Sequence, residues 1–246
     1  KIARGDVYTR PITFREGLTM ADMARHYEAS GFGTAEDFLA AARDPSLVAD
    51  LDPAARDLEG YLFPNTYTLP RSATAPDLVR RMVALFRDAF DEDLRAAATA
   101  QGFTVREVVT LASLIEKETG LDAERRLVAA VYRNRLRIGM GMQADPTVIY
   151  ALMLAGTWDG NLTRADLQFD SPYNTYRYRG LPPGPIANPG AASLGAALDP
   201  EDVDYLYFVS RNDGSHVFSR TLAEHNRAVR EWQVEYFRQR RLNRQR

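Results

Sequence analysis

Between Val105 and Thr119 the apolar positions gather on one side of a helix. At about 100° per residue, Val105, Val108, Val109, Leu111, Ala112 and Ile115 share a face, with Lys117 nearly opposite. Both ends are marked. Thr104 and Glu107 have capping-box spacing, and Gly120 supplies a stop. The same grammar predicts a helix from Thr19 and Asp22 to about Ala29, and another from Thr34 and Asp37 to about Arg43, with Gly31 and Gly33 between them. A helix from about Ala75 to Phe90 carries Leu78, Met82, Leu85 and Phe86 on one face, and a further one spans Asp122 to Leu136, cut off near Gly139.

Other stretches read as extended. Ile12 to Phe14 is one, and Tyr61, Phe63 and Tyr67 alternate along another, where Pro64 limits ladder hydrogen bonding. Tyr205 to Ser210 and His216 to Ser219 flank Asn212-Asp213-Gly214, a hairpin signal. Helices in the middle and hairpin strands later predict an α+β fold. We expect a small N-terminal subdomain over residues 1–55 and a larger domain over 56–246.

Composition narrows the function. The 246 residues are 45% hydrophobic with a net charge of −2, enough to bury a core and too balanced for a nucleic-acid partner. The basic tail from Arg230 to Arg246 contains Trp232, Tyr236 and Phe237 and reads as a terminal helix that packs and then frays. Cysteine is absent, and His26, His216 and His225 lack metal-ligand spacing, so we expect no metal and no cofactor. No apolar run approaches the ~20 residues that span a bilayer.

Two carboxylates close the central helix. Glu116 falls beside Val105 and Val109 on one flank of the apolar face, and Glu118 beside Leu111 on the other, about 200° apart, so they cannot act as a pair. A carboxyl at such an edge is either a half-solvated rim glutamate or a general acid whose protonated form is favoured by desolvation. Lys117 points elsewhere and reads as solvated or in contact with substrate.

Asp145, before Pro146, reads as an N-cap for a helix over Thr147 to Leu154, with sugar binding as an added role; facing Glu116 across about 5–9 Å it would supply a second acid. Gln143 has a free amide that no helix face explains. Pro172 to Gly190, with five prolines, is a long stiff loop carrying Tyr173, Asn174, Thr175, Tyr176 and Tyr178. Tyrosine faces pack on sugar rings and Asn174 suits an acetamido group; the alternative is that these residues anchor the loop. Tyr61 suits core packing first and cleft lining second.

Five ordered stretches carry a family resemblance: Glu59 to Tyr67; Ala112 to Gly120; Asn134 to Met140; Gln143 to Tyr150; and Ser171 to Tyr176 leading into Gly180 to Ile186. From about Thr13 to about Val229 the chain resembles the MltG-type (YceG-like) endolytic murein transglycosylases. The resemblance implies cleavage of the bond between N-acetylmuramic acid and N-acetylglucosamine within peptidoglycan strands, leaving a 1,6-anhydromuramyl end. It implies that the catalytic acid is the first glutamate of Glu116-Lys117-Glu118-Thr119, and that Gln143, Asp145, Tyr173, Asn174, Thr175, Glu118, Lys117 and Tyr61 line or support the substrate cleft. It also implies a LysM-like N-terminal subdomain, shortened here, and peptidoglycan synthases as partners. The family's N-terminal membrane helix would place the catalytic part outside the cytoplasmic membrane, and the chain, beginning at Lys1, reads as a soluble fragment lacking it.

One acid suffices for such chemistry because the muramyl C6 hydroxyl supplies the nucleophile that a hydrolase draws from water. Two rivals stand beside it. One is a non-catalytic glycan-binding or scaffold module, and the other a muramidase that activates water through Asp145.

Overall fold

A computed structural model describes residues 9–236 and 238. It contains two compact units. The first comprises the described residues up to Lys117 together with Pro183–Leu198, and the second Glu118–Pro182 with the residues from Asp199 onward. Residue 55 lies inside the first unit. The fold is α+β: helices with two small antiparallel sheets.

In the first unit, strand β1 (Thr9–Thr13) pairs with β2 (Thr66–Pro70), Ile12 opposite Tyr67. Helices α1 (Met20–Ala29) and α2 (Ala35–Ala42) lie between them in sequence, and both start at the anticipated threonines; Thr19 and Asp22 form a complete capping box. Phe14, Tyr27, Phe38 and Tyr67 form one aromatic cluster, and Tyr61, Phe86 and Phe90 a second along α3 (Ala75–Ala89). Helix α4 (Glu92–Ala100), which the apolar pattern did not announce, packs on α8 (Ala191–Leu198). Helix α5 runs Val105–Glu118, capped by Thr104 and Glu107 as expected; the Glu107 carboxylate accepts the Thr104 N–H at 2.8 Å. The whole span Val108–Ile115 is buried, since α5 is covered on more sides than its apolar face alone required.

The returning segment is held by Asn188, which is fully buried. Its Oδ1 accepts the Gly60 and Leu62 N–H groups, both at 2.9 Å. Its Nδ2 donates to the Leu18 carbonyl at 3.0 Å and to Glu59 Oε1 at 2.8 Å. Glu59 in turn accepts the Met20 N–H at the start of α1. Gly60 adopts φ +88°, and a Cβ there would sit 2.5 Å from Pro185 Cγ, so both its backbone and its surroundings require glycine.

In the second unit, α6 (Arg125–Arg137) and α7 (Asp145–Leu154) supply most of the core, with Val128, Val131, Tyr132, Val148 and Tyr150 buried. The predicted hairpin is β3 (Tyr207–Ser210) with β4 (His216–Ser219), turning through Asn212 at φ +66° and Gly214 at φ +95°. Helix α9 (Leu222–Val229) packs on both strands and leads into a wider π-helical turn over Arg230–Glu235. Most of the basic tail beyond Tyr236 lies outside the described residues. Among those described, no helix is long and apolar enough to cross a membrane.

Candidate active site

The two glutamates at the end of α5 meet different surroundings. Within the first unit, Glu116 Oε2 accepts the Ser193 hydroxyl at 2.7 Å and the Gly190 N–H at 3.1 Å. Gly190 opens α8, so Glu116 serves an N-terminal donor of a neighbouring helix, a setting that suits an anion. Gly17 packs against its stem, a Cβ there lying 3.5 Å from Glu116 Cγ. Lys117 is exposed and donates to the Gly17 carbonyl at 3.2 Å.

Glu118 instead lines a cavity of about 390 Å³ in the second unit, together with Tyr132, Arg135, Gln143, Asp145, Tyr176, Tyr207, His225 and Asn226. Helix α6 presents Tyr132 and Arg135 three residues apart, hence on one face. The Tyr132 side chain is hydrogen-bonded to Glu118. Burial, and after it the Glu118 charge, pushes the Tyr132 hydroxyl well above its usual range, so it remains a donor. Tyr176 repeats the arrangement, its hydroxyl donating to Asp145 Oδ1 at 2.5 Å, with burial and that bond both raising its pKa. Each cavity carboxylate thus carries a tyrosine hydroxyl.

Arg135 is buried on the cavity wall. Its Nε donates to the Leu206 carbonyl at 2.7 Å and its Nη1 to Met142 at 2.6 Å, while its guanidinium carbon lies 5.4 Å from the Tyr207 ring centre. Burial lowers its pKa, though arginine keeps its charge at physiological pH. His225 stacks on Tyr207 at 5.1 Å, and burial followed by the Arg135 charge lowers its pKa. A compartment with two carboxylates, one fixed cation, a free amide and several ring faces can donate and accept protons and can grip a polyhydroxylated ligand.

The structure gathers some of the anticipated residues and disperses others. Gln143, Asp145 and Glu118 meet at the cavity. Asp145 is not a cap: Ala144 is the N-cap residue of α7, and Asp145 occupies its first turn with its carboxylate turned to Tyr176. Tyr61 is a core residue, 1% exposed, whose hydroxyl donates to buried Asp52 at 2.6 Å. Asn174 is buried, its amide donating to the Leu167 and Phe169 carbonyls and accepting the Tyr176 N–H. Thr175 is buried as well, accepting the Ala144 N–H at 3.0 Å and pairing with Thr147 at 2.9 Å. Tyr173 lies half-buried against Tyr150 at 5.0 Å. Tyr176, one of the loop tyrosines, joins Gln143, Asp145 and Glu118 at the cavity, and the cavity-lining residues that sequence patterning did not propose for the site include Tyr132, Arg135, Tyr207, His225 and Asn226. The available signal for Arg135 was a charged residue on the buried face of a helix, and for His225 a lone imidazole with no metal partner.

The sequence matches the YceG-like family over residues 1–231. It is 44% identical over 172 residues to a Bacillus subtilis (strain 168) protein called endolytic murein transglycosylase, covering 70% of this chain and 47% of that protein. It is 35% identical over 222 residues to the Streptococcus pneumoniae (D39) protein of the same name, covering 80% and 39%. The chain therefore spans less than half the length of these relatives. The crystal structure of a YceG-like protein from Listeria monocytogenes superposes with a TM-score of 0.78 at 37% identity, covering 88% of this chain and 75% of that one.

Proposed function

The chain belongs to the YceG-like family, and on that premise we propose that it is a lytic transglycosylase of peptidoglycan strands in which Glu118, rather than Glu116, handles the proton. One observation carries the choice: of the two glutamates, Glu118 lines the cavity that also holds Gln143 and Asp145. Glu116 is engaged by the opening of α8.

In this reading Glu118 protonates the oxygen between N-acetylmuramic acid and N-acetylglucosamine as the C1–O bond breaks. As a carboxylate it then takes the proton of the muramyl C6 hydroxyl, whose oxygen bonds to C1 of its own ring. The product is a 1,6-anhydromuramyl end, and no water is consumed. Such proton transfer contributes roughly 10²–10⁴-fold in rate. The Tyr132 hydrogen bond orients the carboxyl, and Gln143 offers an amide to the saccharide. Nascent strands are the proposed substrate, peptidoglycan synthases the proposed partners, and the outer face of the cytoplasmic membrane the proposed workplace.

A second reading rests on Asp145, which lines the same cavity: a muramidase in which Asp145 activates water. A LysM-like role for β1, α1, α2 and β2 is supported by their strand-helix-helix-strand order and antiparallel pairing.

Mass spectrometry of glycan strands after incubation with the protein and its variants tests all of this. Anhydro ends resistant to borohydride are expected, and they should vanish with Glu118→Gln while persisting with Glu116→Gln. Reducing ends would transfer the assignment to the muramidase reading, and the reverse mutational pattern would return the acid to Glu116.

A further inference from the structure

The cavity contains a histidine for which the proton transfer just described has no use. His225, on α9, lines the same wall as Arg135, Tyr207 and Asn226. Its ring is held by stacking on Tyr207 at 5.1 Å with the planes 23° apart. Its Nδ1 is sealed from solvent and has no hydrogen-bond partner among the described residues. A sealed nitrogen without a partner dictates the state of the imidazole. An N–H buried without an acceptor is rarer and more costly than a bare lone pair, so the proton resides on Nε2. Double protonation would place an orphan N–H at Nδ1 and a second cation beside Arg135, and burial and Arg135 indeed both oppose it.

We infer that His225 is a substrate-binding residue, a neutral hydrogen-bond donor through Nε2 to an uncharged oxygen of the saccharide, either a ring hydroxyl or an acetamido carbonyl. This rests on the proposed glycan substrate. A neutral imidazole N–H suits an uncharged acceptor, and on the glycan the ring hydroxyls and acetamido carbonyls supply such oxygens. Tyr207 lets the ring be held without any bond to Nδ1, which leaves Nε2 as the only nitrogen able to exchange hydrogen bonds with a ligand.

The experiment compares His225→Phe, which keeps a stacking ring and removes the donor, with His225→Gln, whose amide carries an N–H at similar reach. Dissociation constants for an N-acetylglucosamine tetramer and for purified glycan strands are measured calorimetrically in a Glu118→Gln background. Strand cleavage is measured without that background change. H225F is expected to bind about tenfold more weakly, the worth of one hydrogen bond, and to lose kcat/KM by a similar factor with an unchanged or higher melting temperature. H225Q should recover most of both. Binding and cleavage by H225F within twofold of the parent would overturn the inference. So would equal weakness of H225F and H225Q accompanied by a lowered melting temperature, which marks a structural ring. If the unsubstituted chain binds strands without cutting them, the transglycosylase reading fails alone, and the calorimetric comparison still judges His225.

Discussion

Asn188→Ala should be among the most damaging single changes in the first unit, and the size of the effect can be worked from its four hydrogen bonds. Truncation leaves the N–H groups of Gly60 and Leu62 buried without an acceptor, each worth about 1–3 kcal/mol. It also takes a donor from the Glu59 carboxylate and from the Leu18 carbonyl. A total loss of roughly 3–6 kcal/mol follows, a large share of the 5–15 kcal/mol by which domains are usually stable. Asn188→Asp separates the acceptor from the donor half of the side chain. It keeps an oxygen for Gly60 and Leu62 but sets a carboxylate against Glu59. Burial beside a like charge raises the folded-state pKa of the introduced carboxyl above its unfolded value. The stability of N188D is therefore greatest at acid pH, where the carboxyl is protonated and donates as the amide did, and declines as pH rises through the folded-state pKa. Urea unfolding followed by circular dichroism between pH 4 and 8 reads both variants. A loss below about 1 kcal/mol for N188A, or an N188D profile that rises with pH, would refute the reasoning.

Glu116→Gln should lower stability by about 1–2 kcal/mol through its bonds to Ser193 and Gly190, discounted for partial exposure, and leave cleavage within a few-fold of the parent; calorimetric melting and strand digestion check the two halves. Gly60→Ala should cost about 2–4 kcal/mol, combining a positive φ with collision against Pro185, and soluble expression with a melting curve decides it. Tyr176→Phe should keep the fold, since only a hydroxyl on Asp145 is lost, and weaken glycan binding several-fold if the cavity is the saccharide site. Arg87 holds the Asp50 carboxyl down at about 2, so this exposed pair contributes stability above the ordinary aspartate pKa that is lost as pH falls toward 2; Asp50→Asn should flatten that part of the acid unfolding curve by less than about 1 kcal/mol.

The parts of the fold legible in the sequence are those specified locally. Thr19 with Asp22, Thr34 with Asp37 and Thr104 with Glu107 start helices where their spacing requires, because each cap satisfies donors within its own turn. The Asn212 to Gly214 hairpin is local in the same sense. What escaped depends on partners far away in sequence. The helical wheel sets Glu116 and Glu118 on equivalent edges of one face, and only Ser193, 77 residues away, and Tyr132 on α6 tell them apart. Asp145 had the signature of a cap, yet its carboxylate meets a tyrosine 31 residues later. Asn174 and Thr175 looked available because composition does not reveal that their polar groups are taken up by backbone outside the proline-stiffened loop, at Leu167 and Phe169 just before it and at Ala144 beside α7.

Gln143 shows what such a site demands of the main chain. At φ +49° it sits in the left-handed region that a glutamine enters at an energetic disadvantage, at the rim of the cavity and two residues before Asp145. Glycine or asparagine would relax this position. A programme that selected variants for heat tolerance alone would therefore be drawn to residue 143, exchanging a side chain that lines the cavity for a more comfortable backbone. Thermal robustness and the make-up of the cavity wall are set against each other at this one residue.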